Sequence, residues 1–146
     1  MKSKKFVKGM TLIELILVIS ILALLVAIIM PKIERRDYYL MTISRTLRDD
    51  IRNIRYMKMT EGKSYLISLE GTQYTIKEGY KVIKRVKLEK DFKMTSNFPK
   101  GEIYFTYNGS PNCGGTITIF DNKKNKYCEI TIVPSTGRIL LKDEFF

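Results

Sequence analysis

The chain has 146 residues, with 26 Lys and Arg against 15 Asp and Glu, for a formal charge of +11. That length holds one membrane-anchoring segment and one small domain with its own core, and excludes two soluble domains. With no His, the usual general acid/base and the commonest metal ligand are missing, so the composition argues against an enzyme, a metal site or another cofactor. The basic balance leaves nucleic acid, anionic lipid and acidic proteins open as partners.

The first nine residues carry Lys2, Lys4, Lys5 and Lys8 and end at Gly9; they read as a leader to be set apart from the fold. Residues 12–30 are apolar except for Glu14 and Ser20, and the run matches the roughly 17 to 25 residues of a membrane-spanning helix. A carboxylate at that depth costs about 2.5 to 3.5 kcal/mol on insertion scales, which marks Glu14 as a functional group in need of a partner. Cutting after Gly9 leaves an ammonium on Met10, one turn from Glu14. With a rise of about 1.5 Å per residue, a sister copy displaced by about one turn brings its Met10 amine beside this carboxylate. Pairing makes both charges cheaper to bury and sets the register of stacked subunits.

An ordinary secretory signal peptide fits less well, because the apolar run is longer than an h-region and no small-x-small site with a polar mature start follows it. A plain signal anchor is the other alternative, and it leaves Glu14 unexplained. The leader lysines hold the amino terminus in the cytoplasm and place the rest of the chain on the far side of the membrane. Lys32, Arg35 and Arg36 beyond the span weaken that charge asymmetry.

The stretch Gly9-Met10-Thr11-Leu12-Ile13-Glu14-Leu15 resembles the processing and assembly motif of type IV prepilins and type II secretion pseudopilins, with Met10 where the family usually has Phe. The resemblance implies a prepilin peptidase that cleaves between Gly9 and Met10 and N-methylates Met10. It also implies other pilin or pseudopilin subunits and an inner-membrane assembly platform as partners, with Glu14 as the assembly contact.

Pro31 follows the apolar run and predicts a kink rather than an end. Beyond it Ile33, Leu40, Ile43, Leu47, Ile51 and Ile54 recur with the period of an amphipathic helix. Arg45, Arg48, Asp49, Arg52 and Arg55 fall between them and are expected to face water or sister subunits. The organisation read from the chain is a leader (1–9), a membrane and assembly helix (10–31), an amphipathic helix (32–59) and a β-rich domain (60–146).

From about residue 60 the period changes to alternation, and strands are predicted at 64–69, 73–77, 80–88, 103–107, 115–120, 127–133 and 138–141. Turns fall at Glu70-Gly71, Glu78-Gly79, Asn108-Gly109, Asp121-Asn122 and Thr136-Gly137. The expected fold class is α+β: a long kinked N-terminal helix packed on a C-terminal antiparallel β-sheet domain, which the resemblance identifies with the pilin fold. Cys113 and Cys128 form a disulfide if the domain lies outside the cytoplasm and their Cα atoms come within about 7 Å; otherwise they are two small buried residues.

Phe98-Pro99-Lys100-Gly101, Gly115-Thr116-Ile117-Thr118-Ile119 and Gly137-Arg138-Ile139 resemble the C-terminal half of the H-type minor pseudopilins and FimT-like minor pilins. In physical terms Gly115 and Gly137 start strands, and Arg138 is a surface charge or a tie for its turn.

No phosphate-cradling loop and no nucleophile paired with a base occurs in the sequence. The remaining lead is charge: Lys81, Arg85 and Lys87 fall on one face of a strand with Ile83, and Lys84, Lys90 and Lys93 lie nearby. That face is a solvated edge strand kept from pairing by lysine, or a phosphate-binding strip for DNA uptake, as the FimT-like resemblance allows. The function expected is a minor pilin or pseudopilin that waits in the membrane by its apolar helix, in contact with lipid, and is extracted into a filament. The alternative is a DNA-binding minor pilin acting as a receptor in competence.

Overall fold

The computed structural model describes residues 11–29 and 35–142. Cleavage at Gly9, methylation at Met10 and the kink at Pro31 fall outside the described residues. The chain divides into two compact units, Met1–Ile33 and Glu34–Phe146.

In the first unit, α1 (Leu12–Ile29) runs 18 residues, about 27 Å at the helical rise. Apart from Glu14 and Ser20 its described side chains are apolar around the whole circumference, and large ones on every side, among them Leu12, Ile13, Ile21 and Leu22, are exposed. Such a helix has no polar face to give to water and is suited to lipid or to other apolar helices. Among the described residues, no helix is long and apolar enough to cross a membrane. Ser20 adds little polarity, since its Oγ donates to the Ile16 carbonyl at 2.8 Å.

The second unit opens with α2 (Arg35–Glu61). The predicted stripe Leu40, Ile43, Leu47, Ile51 and Ile54 is buried, joined by Ser44 and Lys58. Ser44 is tolerated there because its Oγ donates to the Leu40 carbonyl at 2.7 Å. Lys58 lays its stem in the core, and its ammonium reaches Ser64 Oγ at 2.7 Å and the Tyr107 ring face at 3.9 Å.

Eight strands follow: β1 (Tyr65–Leu69), β2 (Gln73–Glu78), β3 (Lys81–Lys87), β4 (Phe92–Ser96), β5 (Glu102–Ile103), β6 (Gly115–Asp121), β7 (Lys126–Ile132) and β8 (Ile139–Lys142). They form two antiparallel four-stranded sheets, ordered β3-β2-β1-β5 and β4-β6-β7-β8. Helix α2 touches both sheets. The core joins its stripe to Ile67, Tyr74 and Ile103 of the first sheet and to Phe92, Ile117, Ile119, Ile130 and Ile132 of the second. The α+β fold class is therefore as expected.

Two expectations are corrected, and one alternative left open by the sequence is decided. Strand β4 lies in a stretch read only as charged; Phe92 and Met94 are buried while Lys93 and Thr95 are exposed, so two apolar residues suffice to seat it. The strand expected over 103–107 shrinks to β5 and a single bridge between Phe105 and Pro111, since beyond Ile103 the chain bonds to its own return: the Thr106 N–H donates to the Ser110 carbonyl and the Asn112 N–H to the Tyr104 carbonyl. No disulfide joins Cys113 to Cys128. The β6–β7 register explains why: Gly115 stands opposite Ile132, and Gly114 packs on the Pro134 ring. Pro134 lies six residues beyond Cys128, about 20 Å along an extended chain and far outside bonding reach.

Candidate functional site

The start of α1 is a capping box. The Glu14 backbone N–H donates to Thr11 Oγ1 at 3.3 Å, and the Thr11 N–H donates to Glu14 Oε2 at 3.4 Å. Both bonds are long, but together they satisfy two N–H groups that the first turn leaves without helical partners. Glu14 thus has a partner inside its own chain. Sequence reasoning assigned its carboxylate only to another subunit, although Thr-x-x-Glu before an apolar run carries the signal. The negative charge also lies in the first turn, where the helix dipole favours it.

The strip Lys81, Arg85 and Lys87 lies on β3, an edge strand of the first sheet, and all three side chains are exposed. They do not share one face. Lys84 pairs with Ile76 but Val82 with Lys77, so Ile83 is an extra residue in a bulge. Opposed residues point to the same side of a sheet. Arg85 and Lys87 therefore point with Thr75 and Gln73, whereas Lys81 points with Glu78, on the side of Tyr74 and Ile76. A bulge inverts the alternation that the sequence count relied on.

Lys84 is occupied: its ammonium lies 2.7 Å from both Asp50 carboxylate oxygens, and Tyr74 Oη donates to Asp50 Oδ2 at 2.6 Å. Burial, then this bond, pushes the Tyr74 hydroxyl well above its usual pKa, so it stays a donor. The trio fastens β2 and β3 to α2.

Three arginines of α2 fasten the rest. Arg36 donates to Asp121 through Nε at 2.8 Å and Nη2 at 2.5 Å, and to Asp91 through Nη1 at 3.1 Å. Its bidentate fork on the buried Asp121 is the geometry that guanidinium supplies. The donated bond from Arg36 holds the Asp121 carboxyl below the usual range. At Asp91 the same direction comes first from Lys123 and then from Arg36.

At the other end of α2, Arg55 donates to the Gly109 and Thr136 carbonyls, and Arg52 to the Ile139 carbonyl. Both were expected to face water or sister subunits: Arg52 is exposed and also bonds the first residue of β8, whereas Arg55 is half-buried and reaches back to the loops before β6 and β8. The Arg138 side chain is exposed, and its turn is tied by backbone, with the Val133 N–H donating to the Arg138 carbonyl.

Residues 4–30 match the prokaryotic N-terminal methylation motif. No curated protein sequence matches the chain. Among solved structures, the minor pseudopilin EpsH of the type 2 secretion system of Vibrio cholerae is similar at 10% identity and TM-score 0.60, over 70% of this chain and 95% of that one. The type IV minor pilin FimU of Pseudomonas aeruginosa gives 17% identity and TM-score 0.59, over 70% and 87%. GspH of E. coli gives 7% and 0.51, over 77% and 94%. The fold of the second unit is that of minor pseudopilins and minor pilins.

Proposed function

We propose that this chain, which joins a prepilin-type methylation motif to the minor-pseudopilin fold, is a structural, non-enzymatic subunit of a type IV pilus-like or type II secretion-like filament. The observation that carries the reading is Glu14, the lone carboxylate of an otherwise apolar helix, placed inside the methylation motif and five residues beyond Gly9. A prepilin peptidase cuts after Gly9 and methylates Met10. The apolar helix then rests in the cytoplasmic membrane until sister subunits and the assembly platform take it up, and lipid is exchanged for neighbouring helices. The β-rich unit stays outside the cytoplasm.

In assembly, the Met10 ammonium of one copy meets Glu14 of the next, and Glu14 changes from an intrachain cap to an interchain ion pair. Mass spectrometry of the mature amino terminus tests processing: a methylated Met10 is expected, and an intact leader would overturn the reading. Glu14→Gln tests the contact, because Gln keeps a capping side chain and removes the charge. Processed but unassembled Glu14→Gln and Glu14→Ala chains are expected; normal filament entry by Glu14→Gln would reduce Glu14 to a cap.

The second reading, capture of DNA in competence, is supported by the exposure of Lys81, Arg85 and Lys87 along a free sheet edge. The bulge leaves Arg85 and Lys87 as its common face. Duplex affinity that falls steeply with salt, and falls again on removing these two charges, would favour it. Absent or salt-independent binding would end it.

A further inference from the structure

Arg35, Arg36, Tyr38, Tyr39, Thr42 and Glu89 line a cleft of about 510 Å³ at the N-terminal end of α2. Its side chains divide into those the fold uses and those it does not. Arg36 is committed to Asp121 and Asp91 and also lies over the Phe92 ring at 5.1 Å. Tyr39 packs on Phe92 at 4.6 Å between ring centroids, and its Oη accepts from the Glu89 N–H at 2.9 Å. Tyr38, by contrast, is 64% exposed, and Arg35 is exposed. Lys90 is exposed too, between Glu89 on the cleft wall and Asp91, which binds Arg36. Among the described residues, neither Arg35 nor Lys90 pairs with a carboxylate.

We propose that this cleft seats the headgroup of an anionic bilayer phospholipid, with Arg35 and Lys90 holding the phosphate and Tyr38 lying at interfacial depth. Position is the first argument: Arg35 follows Ile29, the end of α1, by only six residues, which span at most about 21 Å. Charge is the second. Cations just beyond an apolar run on the far side of the membrane oppose the usual topological bias, and topology gives no reason to keep them there. A negatively charged lipid surface does, because it attracts basic residues close to it, and a guanidinium fork matches phosphate oxygens. Tyrosine suits the same depth, with an apolar ring and a polar tip.

The inference rests on the membrane anchoring proposed above, so insertion is measured beside it. The full chain lacks Trp, and Tyr38→Trp gives it a single reporter. This variant is inserted into nanodiscs of phosphatidylcholine alone and of phosphatidylcholine with phosphatidylglycerol. The expected result is a shift of emission to shorter wavelength only with phosphatidylglycerol. The shift is lost in high salt and on joint Arg35→Ala and Lys90→Ala substitution, and kept by Arg35→Lys. Equal emission in the two discs overturns the proposal. So does a shift that survives the double substitution, or one that soluble glycerol phosphate reproduces on phosphatidylcholine discs. Insertion with no lipid dependence sinks this site alone, whereas failure to enter either disc overturns the anchoring as well.

Discussion

Arg55 Nε donates to the Gly109 carbonyl at 2.9 Å while its Nη2 donates to the Thr136 carbonyl at 3.0 Å, so one guanidinium of α2 joins the loops that precede β6 and β8. Both loops turn at glycines in the left-handed region, Gly109 at φ +74° and Gly137 at φ +62°. A Cβ on Gly137 would stand 2.3 Å from the Gly109 carbonyl oxygen and 3.1 Å from Arg55 Nε. The Gly-Arg-Ile stretch noted in the sequence therefore owes its glycine to this crossing.

Gly137→Ala is expected to cost at least about 2 kcal/mol, because left-handed strain adds to a clash with backbone. Gly79 is its control: φ is +58°, but nothing lies within 4 Å of an added Cβ. Gly79→Ala should lose only the conformational term, about 1 kcal/mol. Urea denaturation of the two variants checks the difference, and equal losses would remove the crossing as its cause.

Arg55→Ala should destabilise the domain by about 1 to 3 kcal/mol, since it strips the donor from two carbonyls held close to one another. Arg55→Lys should recover less than half of this. An ammonium is a single point and does not reproduce a planar fork on two acceptors. Thermal melts of the three proteins decide it; full rescue by Lys would show that charge alone matters.

The Arg36 clamp predicts an acid limb in stability. Folding lowers the Asp121 and Asp91 carboxyl pKa values, so their contribution is complete above the ordinary aspartate value of about 3.9 and is lost as pH falls through the lower folded values. Asp121→Asn should lower the melting temperature at neutral pH and flatten the fall below about pH 4. A mutant that melts like the parent at pH 7 would argue against the clamp.

In the core, Leu47→Ala should cost about 2 to 5 kcal/mol, because Leu47 is fully buried in the stripe of α2 that both sheets cover. Asn53→Ala, on the exposed face of the same helix, should stay within about 0.5 kcal/mol. Chemical denaturation separates the two readily.

The amino-acid sequence by itself determined the processing motif, the odd carboxylate at Glu14, the buried stripe from Leu40 to Ile54 and most strands. Each is a local signal: a short motif, a period of 3.6 or a period of 2, set by residues adjacent in the chain. Strand β4 escaped because two apolar residues among lysines make too weak a pattern, although the facing β6 is enough to pair it. Only the tertiary structure decided which arginines serve the fold, because the partners of Arg36 and Arg55 lie 54 or more positions away. It also decided the face of Lys81, since one bulged residue at Ile83 reverses every side chain beyond it. The cysteines show the same limit: their pairing turned on the β6–β7 register, a relation between strands that spacing along the chain does not contain.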